Sequence, residues 1–164
     1  MVKKAGEISP EKSRRANRLV TSNKRAFHEY FILESIEAGI VLTGTEIKSV
    51  REGKVSISEA YVRVDRGELW LIHSNITPYS HGSYTNHDPM RPRKLLAHKS
   101  QIRQLREMIE QKGLTIVPLR IAMKDGRAKV DIGVARGKKL HDKRAAEAEK
   151  EGRRDMARAL RDRE

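Results

Sequence analysis

The segment Asn23-Lys24-Arg25-Ala26-Phe27-His28-Glu29-Tyr30 gathers two cations, an amide, an imidazole, a carboxylate and two aromatic rings within eight residues. Cations contact phosphates, flat rings stack on unpaired bases, and amide or imidazole groups hydrogen-bond base edges. That mixture serves single-stranded or looped RNA. Two more clusters carry similar chemistry. Arg91, Arg93 and Lys94 leave a Pro-containing stretch as a compact set of cations, and Lys138, Lys139, Lys143 and Arg144 surround His141 and Asp142.

Catalytic and metal readings fare worse. Gly133-Val134-Ala135-Arg136-Gly137-Lys138-Lys139 has one residue too few between its glycines for a phosphate loop, and no Ser or Thr follows the lysine to hold magnesium. His28-Glu29-Tyr30-Phe31-Ile32 begins like a zinc-protease motif, but Ile32 stands where the second histidine belongs, and the segment reads as strand. His81, His87 and Asp88 have no fourth ligand at motif spacing and read as polar loop residues. Glu34 and Glu37 read as a solvated strand face rather than an acid/base pair. No catalytic residue, metal site or cofactor is expected, so a binding protein is favoured over an enzyme.

The elements that must position these residues can be read from pattern. Residues 1–22 are polar and basic without apolar period, and are expected to be a flexible arm. Phe27 to Leu42 reads as two strands or one strongly bent strand. Thr43 or Thr45 caps a short helix carrying Lys48 and Arg51 and stopped by Gly53. Tyr61–Val64 and Leu69–Ser74 form a hairpin about Asp65-Arg66-Gly67-Glu68, and residues 75–94 a long loop. Ile102, Leu105, Met108 and Ile109 share the face of a helix from about His98 to Lys112, with Gly113 as its left-handed stop. Leu114–Met123 and Ala128–Val134 make a second hairpin around Asp125-Gly126. Beyond Gly137 an Ala-, Glu- and Arg-rich tail offers no core. It is expected to be disordered when free and helical on a surface. Several short strands with one packed helix predict a mainly β protein, a small closed OB-like barrel with short flanking helices and a basic tail.

The 164 residues suit one domain, and the formal net charge of +13 favours a polyanionic partner. That charge is uneven: residues 1–27 carry a net +6, residues 28–90 a net −4 and residues 91–144 a net +11. Without cysteine there is neither disulfide nor thiolate site, as suits a reducing compartment. No apolar run approaches the roughly 18 residues of a membrane span, and the first residues lack a signal peptide's hydrophobic region. A soluble cytoplasmic monomer with no membrane role is the expectation.

Eight ordered blocks between Asn23 and Arg144 make the chain resemble small protein B, the SsrA-binding proteins. They are Asn23-Lys24-Arg25-Ala26 with His28-Glu29-Tyr30; Glu37-Ala38-Gly39; Gly44 to Gly53 with Glu46-Ile47-Lys48-Ser49; Asn75-Ile76-Thr77-Pro78; Asp88-Pro89; Arg93-Lys94-Leu95-Leu96; Gly133 to Lys139; and His141-Asp142-Lys143-Arg144. The resemblance implies a barrel over residues 23–137 that binds the tRNA-like domain of transfer-messenger RNA. The RNA-binding set is then Asn23, Lys24, Arg25, His28, Glu29, Tyr30, Glu37, Lys48, Arg51, Arg91, Arg93, Lys94, Lys124 and Lys129. It also implies that the tail, residues 138–164, enters the empty mRNA channel of a stalled ribosome. There Lys138, Lys139, His141, Asp142, Lys143, Arg144, Arg158 and Arg161 meet the small-subunit decoding centre. Members often place aromatics where this chain has Met123 and Gly152. The alternatives are a ribosomal or structural rRNA-binding protein and, from a different class, an RNA-processing enzyme using His87 and Asp88 or Glu34 and Glu37.

Overall fold

The computed structural model describes residues 17–82 and 86–162. Nine strands and four helices are present among them, in a mainly β arrangement whose strand pairs are all antiparallel. The chain opens with β1 (Arg18–Ser22), α1 (Lys24–Glu29), β2 (Tyr30–Ile40), α2 (Gly44–Arg51), β3 (Val55–Ser56) and β4 (Tyr61–Asp65). Then come β5 (Glu68–Ile72), β6 (Asn75–Ile76), β7 (Arg93–Leu96), α3 (Lys99–Lys112), β8 (Thr115–Lys124), β9 (Arg127–Gly137) and α4 (Leu140–Arg161). Seven strands form one sheet in the order β1-β8-β4-β5-β7-β2-β9. β8 also pairs with β9, whereas β4 and β8 meet at the single pair Val62 and Ile116. β3 and β6 pair separately.

Both expected hairpins form. Arg66 and Gly67 join β4 to β5 at φ 49° and 75°, and Asp125 and Gly126 join β8 to β9 at φ 50° and 75°. Two consecutive left-handed residues give the turn whose twist matches that of the strands. α2 starts at Thr43, whose backbone N–H donates to Glu46 Oε2 at 2.9 Å, and α3 stops at Gly113 with φ 62°. The main core holds Leu69, Leu71, Leu95, Ile116, Ile121, Val130 and Ile132 from the strands, with Ile102 and Leu105 of α3 and Val50 of α2. A smaller cluster of Ala26, Val117, Leu119 and Ala135 receives Tyr30 and Ile32. β2 serves both through a register shift between Ile32 and Glu34, so it is one strand bent by a bulge.

Four expectations change. Arg18–Ser22 belongs to the sheet, as β1 on β8 from Arg120 to Met123, so a flexible arm reaching residue 22 is too long. Residues 1–16 lie outside the described residues. Phe27–Glu29, read as strand, ends a short helix, Lys24–Glu29, because Asn23 caps it and Ala26 anchors it in the small cluster. The long loop is shorter than read and runs between β6 and β7. The tail, expected to be disordered without its partner, is here one 22-residue helix through Gly152 with no buried residue. No described helix is long and apolar enough to cross a membrane.

Candidate nucleic-acid interface

Asn23, expected to touch RNA, is 3% exposed and spent on the fold. Its Nδ2 donates to the carbonyls of Ile57 (3.1 Å) and Pro118 (2.9 Å), while its Oδ1 accepts the Ala26 N–H (3.0 Å). This ties α1 to β8 and leaves no amide group for a base. Arg25 faces solvent but binds Glu29 (3.0 Å) and Glu59, and Tyr30 is half-buried against the small cluster. Lys24 and His28 remain exposed on α1.

α1 does not stand apart from the tail. The Glu29 carbonyl accepts the Lys138 N–H at 2.8 Å, Lys138 Nζ donates to the Phe27 carbonyl at 3.2 Å, and His28 Nε2 lies 2.7 Å from Glu147 Oε1 on α4. An open cleft between the two helices is lined by Lys24, Phe27, His28 and Lys138 on one side and Glu147, Lys150 and Arg154 on the other. Where β9 passes into α4, Lys139 donates its N–H to Asp142 Oδ2 (3.1 Å), and Asp142 Oδ1 lies 3.4 Å from His141 Nδ1. The His141 side chain is 86% exposed. Lys143 is half-buried and Arg144 exposed; Arg158 lies 4.0 Å from Asp155, and Arg161 is exposed in the last turn.

A second group sits toward the other end of β2. Glu37 binds Lys124 and stands opposite Asp131, while Lys129 stands opposite Gly39. The hydrogen bond from Lys124 to Glu37 raises the lysine's pKa above its ordinary value. The seven residue steps from Tyr30 to Glu37 correspond to about 23 Å of strand. The residues implied by resemblance as one RNA-binding set therefore divide between two ends of the sheet.

The third group is mostly internal. Arg93 is 0% exposed, and all five of its N–H groups are taken: Nε by Glu46 Oε1 (3.1 Å), Nη1 by Ser74 O and Oγ (2.9 and 3.0 Å), Nη2 by the carbonyls of Asp88 and Pro89 (3.3 and 3.1 Å). Arg91 clamps the same fully buried carboxylate through Nε (3.0 Å) and Nη2 (2.7 Å). Burial alone would raise the Glu46 pKa, but the hydrogen bonds from Arg91 and Thr43 and the charges of Arg93 and Arg91 hold it below the ordinary value. Burial, aided by the charge of Arg91, lowers the Arg93 pKa against the opposing charge and hydrogen bond of Glu46. Lys94 points outward to Glu68 at 2.8 Å. The three cations are thus no exposed cluster: Arg93 has no group left for phosphate, because it holds the β6–β7 connection to α2.

On α2 itself, Lys48 lies 5.3 Å over the Tyr79 ring, and the Arg51 carbonyl accepts from Arg18. His87 bridges the Thr45 hydroxyl (2.9 Å) and the Ile76 carbonyl (2.8 Å), so it acts as an internal brace. Among the described residues no three His, Asp or Glu side chains converge as metal ligands. Met123 is buried in the core, so that position offers no stacking surface, and Gly152 lies in open space on α4. Sequence reasoning missed Glu46 as a hub and Phe31 as an exposed ring beside two cations.

The model of the SmpB protein family matches residues 20–162. The SsrA-binding protein of Desulforudis audaxviator is 50% identical over 149 residues, covering 91% of this chain and 97% of the relative. That of Latilactobacillus sakei subsp. sakei is 54% identical over 145 residues, covering 88% and 93%. A solved structure described as "tmRNA-SmpB: a journey to the center of the bacterial ribosome" is 52% identical, with a TM-score of 0.63 and coverage of 77% of this chain and 92% of its counterpart.

Proposed function

Since the chain belongs to the SmpB protein family, we propose that it binds transfer-messenger RNA and delivers it to stalled ribosomes for trans-translation. In this reading it works without catalysis or cofactor, as a cytoplasmic RNA-binding factor that recognises the tRNA-like domain. The pairings from β8 through β4, β5, β7, β2 and β9 back to β8 support an OB-like barrel as the RNA-binding body. Glu37, Lys124 and Lys129 at one end of β2 are its RNA contacts, with the carboxylate accepting from base amino groups and the lysines meeting phosphates.

The observation that carries a separate ribosomal role is the root of α4. His141 stands exposed there beside Lys139, Lys143 and Arg144, at the start of a basic helix that buries nothing against the body. Its 22 residues span about 33 Å at 1.5 Å each, enough to lie along an empty mRNA channel while His141 meets the decoding centre. Lys24 and His28 lie beside that root and belong with it.

The test compares wild type, a truncation after Gly137 and His141→Ala in a reconstituted stalled complex, measuring transfer-messenger RNA affinity beside tag addition. The truncation is expected to keep most of its affinity and to lose tagging, with His141→Ala reproducing part of that loss. Tagging by the truncated protein at the wild-type rate would remove the tail from the mechanism.

A further inference from the structure

We propose that Phe31, flanked by Arg136, is a stacking platform for one unpaired RNA base. The inference rests on the RNA-binding reading above and names a residue outside it. Phe31 lies within a paired strand, opposite Arg136 of β9, yet it is 37% exposed. The Arg136 guanidinium lies 5.3 Å from its ring centroid and Lys138 Nζ lies 5.1 Å from it. Beside the ring opens a hollow of about 500 Å³ lined by Phe31, Arg136, Gly137, Lys139, His141 and Asp142. Gly137 leaves its part of that wall without a side chain, and nothing lies within 4 Å of where a Cβ would stand.

The chemistry of the walls selects the ligand. A purely apolar guest would leave Arg136, Lys138 and Lys139 desolvated without counter-charge, and among the described residues none of the three makes an ion pair. The one carboxylate, Asp142, already accepts from the Lys139 backbone. A flat ring carrying a phosphate satisfies both features: the base covers the Phe31 face and the phosphate meets the cations. Such a base can come from transfer-messenger RNA or from ribosomal RNA, and the assays tell the sources apart.

Phe31→Leu keeps apolar bulk and removes the π-face, while Phe31→Tyr keeps the ring. Loss of one base–aromatic stack corresponds to about five- to hundredfold in affinity or rate. Phe31→Leu is expected to lose that much, with Phe31→Tyr within about twofold of wild type. A fall in affinity for isolated transfer-messenger RNA assigns the base to that RNA. A fall in tag addition at retained affinity assigns it to ribosomal RNA. Phe31→Leu performing as wild type in both assays overturns the platform while leaving the proposed function intact. A wild-type chain that neither binds nor tags overturns the proposed function itself. As a readout independent of any effect of leucine on folding, the indole of Phe31→Trp should be quenched when the RNA complex forms, measured against wild type carrying only Trp70. Unchanged indole emission also overturns the platform.

Discussion

At the scale of single residues, Glu46 is the side chain on which most depends and the one the sequence advertises least. Its carboxylate is enclosed with Arg93 and accepts from Arg91, Arg93 and the Thr43 backbone. Removing one partner of a buried pair strands the other charge, at about 3–5 kcal/mol, so Glu46→Ala should lower the urea midpoint sharply. Because the folded pKa of Glu46 lies below its ordinary 4.5, the folded state favours the ionised form. Its contribution is complete above the ordinary value and is lost as pH falls through the depressed one. Wild type should therefore lose more stability than Glu46→Gln between about pH 5 and pH 3, a difference that denaturant titrations at several pH values would measure. Arg93 reads as a surface cation because arginine in a Pro-containing basic stretch almost always is one. The local signal was its alternation with Leu95, which is also buried, against the outward Lys94 and Leu96. What no one-dimensional pattern displays is the carboxylate 47 residues away that makes the burial tolerable.

At the scale of elements, the turns, α2, α3 and the β8–β9 hairpin were legible because each is decided locally, by left-handed residues, caps and apolar period. α1 was not, since six residues make a helix only where Asn23 is held by β8 and Ala26 finds a tertiary pocket. Gly133 illustrates the same limit. It reads as an ordinary outward strand position, yet a Cβ there would stand 3.0 Å from Leu119 Cδ1 and 3.1 Å from Ile32 Cγ2. Gly133→Ala should overpack the meeting of β2, β8 and β9 and cost about 1–3 kcal/mol by thermal or chemical unfolding. α4 is the opposite case, an exposed helix tied to the body by Lys138 just ahead of it and by an exposed His28–Glu147 pair, a kind worth at most about 1 kcal/mol. Hydrogen exchange should show α4 amides losing protection far sooner than those of β9, and equal protection would contradict this weak attachment.

For the whole molecule, the charge asymmetry in the chain pointed to a polyanionic partner but not to the division of the candidate contact residues between two ends of the sheet, because register and strand order alone decide that. Binding of transfer-messenger RNA should fall with salt at a slope of log K against log salt of about −2, for the two phosphate contacts of Lys124 and Lys129. Lys124→Gln should flatten it by about 1, and a wild-type slope near zero would exclude an electrostatic interface. The first strand carries a different consequence. β1 covers the Arg120–Met123 stretch of β8 on the side that β9 does not occupy, and the Arg18 side chain fastens it to the Arg51 carbonyl. A chain trimmed through Ser22 would present that row of amides and carbonyls to solvent as a template for another copy. Sedimentation of the trimmed protein should then reveal concentration-dependent self-association, which makes these five residues a guard of solubility in the crowded surroundings of a ribosome.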